Sequence, residues 1–405
     1  MRQLLAVRGM PQYYLAATLA RVGDEMVAFT LVLLVLDRTD SPALAGLTGA
    51  AYALPAMITG PILGAWLDRT PYRRTALGIN QAVLGAVMLA MLAVVGHSSH
   101  WMTPALAAIA GVTLPMVTGG FTSMLPSLVP QPLLVRANSL EAASFGAATV
   151  TGPAGAATIA AAVSVEAAAV VIVVTATCSI FAIMRLPVLP ARAAATGESF
   201  LTSVAGGLKH LARTPRLRAS TVATTGVMVA MGILLITLPL HMAQLGAPRS
   251  AAGYLWTALQ IGSVTTAVLL GRFQSRWRPE RVVIVCIAAC GLAIASWSLA
   301  ESLAVLLVIV AATGLLEGPM LPAMFTARQQ YSPTGLQGRV GTTAASLRVG
   351  AAALGQVAGG LLVPAVGTHT ALLLVAATVL AASCFGWLAG LGSLKEETRV
   401  AQSLG

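Results

Sequence analysis

Six charged side chains stand inside long apolar runs: Arg21, Asp24 and Glu25 in LARVGDEMVAF, Glu141 in NSLEAAS, Glu317 in GLLEGPMLP and Arg348 in SLRVG. Charges in such places can lock helices as ion pairs, hold a substrate, or take up and release a proton. At a bilayer centre each ionised group costs at least about 2.5–3.5 kcal/mol. Three unpaired charges would be near the limit for one helix. Helical spacing predicts relief, because Arg21 is three residues from Asp24 and four from Glu25, so both acids can reach the guanidinium. One acid is then surplus and must meet water, another partner or a proton. A carboxyl on which burial and a cation act in opposite senses suits a change of protonation as its surroundings open and close. The plainer reading is that Asp24 only shapes its helix. Glu141, near the start of its run, is equally a structural partner. Glu317 and Arg348 are expected to pair across helices, as a lock or a substrate contact.

Other chemistry is missing from the pattern. There is no Ser-His-Asp arrangement, no metal-ligand spacing and no phosphate-cradling Gly-Lys-Ser/Thr loop, so no enzyme activity, cofactor or metal is expected. Without a nucleotide site, any work must draw on gradients. Cys178, Cys286, Cys290 and Cys384 fall in apolar stretches and read as small buried hydrophobes. His97, His100, His241 and His369 fall near the ends of apolar runs, where exposure is expected.

These residues must be positioned by membrane-spanning helices. The 405 residues are 57% hydrophobic and 9% charged, with a mean hydropathy of +0.85. A soluble domain carries about 25% charged residues, and no soluble core hides this much apolar surface. A span needs about 20 residues to cross about 30 Å. Twelve stretches qualify, near 12–36, 43–66, 75–96, 102–126, 138–162, 165–187, 218–241, 251–271, 281–300, 303–327, 339–363 and 369–391. The predicted class is an all-α membrane protein, with an N-terminal bundle over 1–187, a basic central loop over 188–217 and a C-terminal bundle with a short tail over 218–405.

Positive charge gives the expected orientation. With both termini cytoplasmic, twenty Lys and Arg residues fall in inner segments, and only Arg38 and Arg249 in outer ones. The net charge of +11 is then topology, and nucleic-acid binding is not expected. The halves also repeat. A shift of 203 residues places Gly23 on Gly226, Pro130 on Pro333, Arg136 on Arg339 and Gly152 on Gly355. Duplicated six-helix halves are a transporter architecture with its site near the midplane.

Between the second and third spans runs GAWLDRTPYRRT, residues 64–75. Asp68 can cap a helix or accept from an arginine, and the arginines can hold helix C-termini, so the cluster can latch two bundles in one state. The loop resembles the G-x-L-a-D-R-x-G-R-R motif of the major facilitator superfamily. Gly64, Leu67, Asp68, Arg69, Arg73 and Arg74 fit, while Trp66, Pro71 and Tyr72 depart. The equivalent place, GRFQSRWRPER (271–281), has Ser275 where the acid would stand. In the fifth span, GAATVTGPAGA resembles the glycine-proline motif of antiporters in that superfamily, through Gly146, Gly152, Pro153 and Gly155. Glycines allow close helix approach and Gly-Pro can bend a helix. RVGDEMVAFTLVLLVLDRTDSP, LPSLVPQPLLVRANSLEAA and GGLKHLARTPRLRAS resemble segments of its drug, macrolide and enterobactin-type exporters. Span four lacks the arginine followed by glycine that many proton antiporters carry, so a proton relay here would be wired differently.

The resemblance implies twelve transmembrane helices in two pseudo-symmetric six-helix bundles. It also implies a monomer and proton-coupled efflux of small amphipathic compounds; a nutrient importer or uniporter is the alternative. Expected cavity residues are Met26, Phe29, Tyr52, Met116, Phe121, Met228, Trp256, Met320 and Phe325, since Met and aromatic linings suit adaptable binding. Ala-, Gly- and Arg-rich usage points to a high-GC bacterium and thus to a bacterial inner membrane.

Overall fold

Serine and proline decide where many helices begin. The computed structural model describes residues 2–70, 72–187, 200–270, 277–333 and 336–403, and every regular element among them is helical. A single turn, α1 (Arg2–Leu5), precedes α2 (Met10–Thr39). The latter starts after Gly9 at φ 90, with Pro11 in its first turn, and stops at Asp40, whose φ of 48 turns the chain. Ser41 caps α3 (Pro42–Arg69) by accepting from the Leu44 N–H. Then come α4 (Arg73–Val94), α5 (Met102–Gly111), a π-helical turn at Met116–Gly120, α6 (Phe121–Leu128), α7 (Gln131–Ala162) and α8 (Val165–Met184), the last capped by Ser164. Each serine cap satisfies a donor that a helix start leaves unpaired.

The chain continues with α9 (Phe200–Arg213), α10 (Pro215–Gln244), α11 (Ala252–Leu270), α12 (Pro279–Ala295), α13 (Leu303–Glu317), α14 (Met320–Gln330) and α15 (Gln337–Ser403). Gly367, at φ 79 and ψ 165, breaks α15 in two. The expected spans all carry helix, although 102–126 is broken after Gly111, 165–187 runs three residues past α8, and 281–300 ends in a 3-10 turn at Ser296–Leu299. Eight stretches are long and apolar enough to cross a membrane, and one of these, Arg339–Leu391 with 53 residues, contains the break. The three remaining runs fall short for visible reasons. Charges interrupt α2, the π turn divides 102–128, and Gly and Thr dilute α7.

Two compact units result: Met1–Gly197 with Pro248–Thr257, and Glu198–Ala247 with Ala258–Gly405. In the first, Tyr13, Met116, Phe121, Met124 and Leu125 share one core cluster. The second contains a surprise for the central segment. Residues 188–199 lie outside the described ones, but Phe200–Arg213 is helix rather than loop. Its Leu211 packs with Leu217, Val340 and Ala344. A Cβ on Gly207 would lie 2.5 Å from Thr343 Oγ1, so α9 lies directly on α15.

The repeat has a packing counterpart inside each unit. A Cβ on Gly23 would lie 2.6 Å from Thr175 Oγ1 on α8, and one on Gly226 would lie 2.5 Å from the Ala382 Cβ on α15. Likewise Gly152 seats α7 on α2 at Glu25, and Gly355 seats α15 on α10 at Val229. Small residues at these four places let helix backbones approach closely.

Two burial expectations need correcting. Cys178 and Cys384 are exposed, being on outward helix faces, and all four cysteines are free. His241 is fully buried, since its ring donates to or accepts from Thr368 Oγ1 at 2.8 Å and meets the His369 ring edge-on.

Candidate functional site

The charges of α2 do not satisfy one another, contrary to expectation. Arg21 leaves its own helix and pairs with Glu141 on α7. It donates as well to Ser144 Oγ at 2.6 Å and lies 5.0 Å from the centre of the Phe145 ring. Glu141 Oε1 further accepts from Thr122 Oγ1 at 2.9 Å and the Tyr13 hydroxyl at 3.0 Å. Arg21 is 1% exposed and Glu141 6%. The physical reason is local. A partner that brings hydroxyls with it solvates a buried guanidinium better than a carboxylate three residues along the same helix.

Asp24 turns instead to α3, where the Tyr52 hydroxyl donates to its Oδ1 at 3.1 Å. Glu25 is half-buried, and no cation lies within 4.0 Å of either acid among the described residues. The backbone of Glu25 is pinned by α7: a Cβ on Gly152 would come within 2.5 Å of the Glu25 Cβ. The two sequence features singled out separately, the charged stretch and the glycine-proline motif, thus meet. The other two glycines of that motif behave differently, since a Cβ on Gly146 or Gly155 would find nothing within 4 Å. Pro153 stands inside α7, and its carbonyl faces Gly253 of the Pro248–Thr257 segment.

In the second unit Glu317 and Arg348 do not form the expected pair. No ion pair joins them within 4.0 Å among the described residues; Arg348 lies against two thioethers, Met324 and Met228. Glu317 lines a small cavity with Met231, Cys290, Trp297, Thr313 and Met320, holding about 20 Å³ for water-sized centres, room for about one water.

The loop motif is seen in part. Gly64, Asp68 and Arg69 lie outside the residues whose side chains are described. Arg73, 1% exposed, donates to the Leu67 carbonyl at 2.9 Å, and Arg74 donates to the Leu186 carbonyl at 3.1 Å. Arg73 therefore holds the last turn of α3 and Arg74 the chain just after α8. In the second unit the acid near the equivalent segment is Glu280. It accepts from the Tyr331 hydroxyl at 2.8 Å and lies 3.9 Å from Arg216. This cluster was missed because Glu280 stands five residues beyond Ser275, outside the motif register.

The expected cavity residues divide. Met116 and Phe121 belong to the packed core of the first unit, which the alternation of buried and outward faces does not reveal in so apolar a sequence. Phe325 is 50% exposed. Met26 and Phe29 are buried, Tyr52 serves Asp24, and Met228 serves Arg348. Trp256 is half-buried with its indole N–H unpartnered, and Met320 lines the Glu317 cavity. The pairing of Arg21 with Glu141 was also missed. Its one signal was that Arg21 is the only cation of its apolar run and Glu141 the only acid of another.

Comparison with known proteins agrees with this architecture. The family model for the Major Facilitator Superfamily matches residues 13–340 and 220–402. An uncharacterized MFS-type transporter of Sinorhizobium fredii is 29% identical over 373 residues, covering 89% of this chain and 90% of its own. The multidrug efflux pump Tap of Mycolicibacterium fortuitum is 26% identical over 374 residues, covering 88% and 90%. Among solved structures, the nucleoside transporter NupG has a TM-score of 0.74 at 14% identity, covering 93% of this chain and 98% of that one. A bacterial homologue of the lysosomal transporter Spinster, in an inward-facing state, scores 0.71 at 15% identity, covering 96% and 97%. At these identities the structures speak for the fold alone. With family matches over nearly its whole length, the chain belongs to the Major Facilitator Superfamily, and is a multi-pass membrane transporter rather than an enzyme.

Proposed function

We propose that this protein is a proton-coupled exporter of small amphipathic compounds, with Asp24 and Glu25 as the proton-carrying groups. One observation supports the assignment above the rest: the cation in their own helix is already claimed by Glu141. That leaves Asp24 with a tyrosine hydroxyl and Glu25 without a counter-charge among the described residues. A carboxyl in an apolar span with no counter-charge is neutralised by a proton or by a cation that enters with substrate. Arg21 and Glu141 hold α2 on α7, and Gly152 keeps Glu25 at that seam. Opening and closing of the seam would then change the water around both acids.

Export is favoured over uptake by the likeness to a multidrug efflux pump. In the same reading the protein works as a monomer in a bacterial inner membrane, with both termini in the cytoplasm where the positive charge lies. The deciding experiment uses everted vesicles with an imposed pH gradient and a panel of lipophilic compounds. The wild type is expected to collapse the gradient when a substrate is added. Asp24→Asn and Glu25→Gln are expected to insert normally and lose that response. If both variants retain full proton movement, the assignment fails; if substrate moves inward down its own gradient with no proton flux, the protein is an importer or uniporter.

A further inference from the structure

Two arginines of the second unit meet without any acid between them. Arg328, at the end of α14, is only 7% exposed. It sends Nη2 to the Met324 sulfur at 3.3 Å. Arg348, on α15, sends Nη1 to the same sulfur at 3.6 Å and Nη2 to the Met228 sulfur at 3.7 Å. The Nε of Arg348 is buried and has no partner. No carboxylate among the described residues pairs with either guanidinium; Glu317 acts on Arg348 only from beyond 4.0 Å. The Phe325 ring, 6.0 Å from Arg328, adds a weak attraction.

A thioether is a weak acceptor. One buried and one half-buried cation served by thioethers are therefore poorly satisfied, and sharing one sulfur holds the two nitrogens within about 7 Å, close enough for mutual repulsion where little water reaches them. Such an arrangement is costly unless an anion completes it. The size is right for one. Charge-assisted N–H···O bonds run about 2.7–2.9 Å, so one carboxylate or phosphate can reach nitrogens about 5–7 Å apart.

We propose that Arg328 and Arg348 form a binding site for an oxyanion, a carboxylate or phosphate, carried by an amphipathic molecule. The apolar body would lie against Met228, Met324 and neighbouring helix faces, where methionine adapts to varied shapes. The site would make anionic amphipaths a substrate class of the transporter. That use rests on the exporter reading, but binding itself does not. An anionic lipid headgroup offers the same chemistry, and the test separates the two sources.

Full-length protein in phosphatidylcholine nanodiscs is titrated with 2-naphthoate, 2-naphthyl phosphate and the neutral 2-naphthamide, following thermal stabilisation and equilibrium dialysis. The two anions are expected to bind at least tenfold more tightly than the amide. Arg328→Gln and Arg348→Gln should each weaken anion binding at least tenfold, and Arg348→Lys less, because the charge remains. Met324→Leu, which removes the shared sulfur and no charge, should leave anion binding in place. In discs containing phosphatidylglycerol, arginine-dependent stabilisation that excludes naphthoate would support the site and assign it to lipid. Equal binding of naphthoate and naphthamide by the wild type overturns the proposal even if the arginine variants do not fold. So does the absence of any arginine-dependent effect of naphthoate, naphthyl phosphate or phosphatidylglycerol. Failure of drug-driven proton movement alongside intact anion binding would remove the exporter reading and leave this site standing.

Discussion

Removing the charge of Glu141 tests the central separation drawn here, between a pair that holds the fold and acids that serve transport. Glu141→Gln keeps the shape and an acceptor for Tyr13 and Thr122, but leaves Arg21 facing only neutral groups at 1% exposure. Breaking a buried pair from one side costs about 3–5 kcal/mol, whereas replacing both partners by apolar groups is often neutral or stabilising. For a cooperative unit of roughly 200 residues, each kcal/mol shifts Tm by about 2–4 °C, so Glu141→Gln should lower Tm by about 6–20 °C. The double variant Arg21→Met/Glu141→Leu should recover most of that loss. Thermal unfolding of the purified protein in one fixed detergent measures all of these, and vesicle transport is read alongside. The double variant is expected to keep substrate-driven proton movement, because Asp24 and Glu25 are untouched. Two results would refute the reasoning. One is a double variant as unstable as the single. The other is a Glu141→Gln protein of normal Tm that no longer couples, which would make Glu141 the proton carrier.

The glycine-proline motif offers a contrast within one helix. Gly152→Ala should destabilise by about 1–3 kcal/mol through overpacking against Glu25, while Gly146→Ala and Gly155→Ala, which enter open space, should be neutral or slightly stabilising in the same melts. At the other end of the chain, Thr368→Val removes the hydroxyl that serves both buried His241 and Gln244. Leaving the buried imidazole unpaired should cost about 1–3 kcal/mol, and a Tm within 1 °C of wild type would contradict it.

The helices were legible because length and hydropathy are local properties. Each of the twelve runs could be read from about twenty consecutive residues, and each carries helix, with 102–126 broken into shorter pieces. The 203-residue repeat was legible for a related reason. Glycine at a close helix crossing tolerates no side chain, so Gly23 and Gly226, or Gly152 and Gly355, mark equivalent seams without knowledge of their partners. Helix α9 was hidden by its composition. Its lysine and arginine suggested a loop, although Leu211 and Gly207 lie on the face that packs against α15.

What sequence could not supply was the choice of partner. Arg21 had two acids within helical reach and took a third, 120 residues away, because Glu141 arrives with Thr122, Tyr13 and Ser144 around it. In an apolar interior the deciding quantity is how completely a charge is surrounded, and spacing along one helix counts for little against it. The other unit departs from the expected pairing without such compensation. Glu317 and Arg348 have opposite charges and suitable spans, yet the arginine lies against sulfurs and beside a second arginine. One bundle has thereby satisfied its cation and left acids over, while the other has left cations over. That difference between the halves is not visible in their repeated glycines; on the proposed reading it gives the two copies separate tasks, proton carriage in one and anion binding in the other.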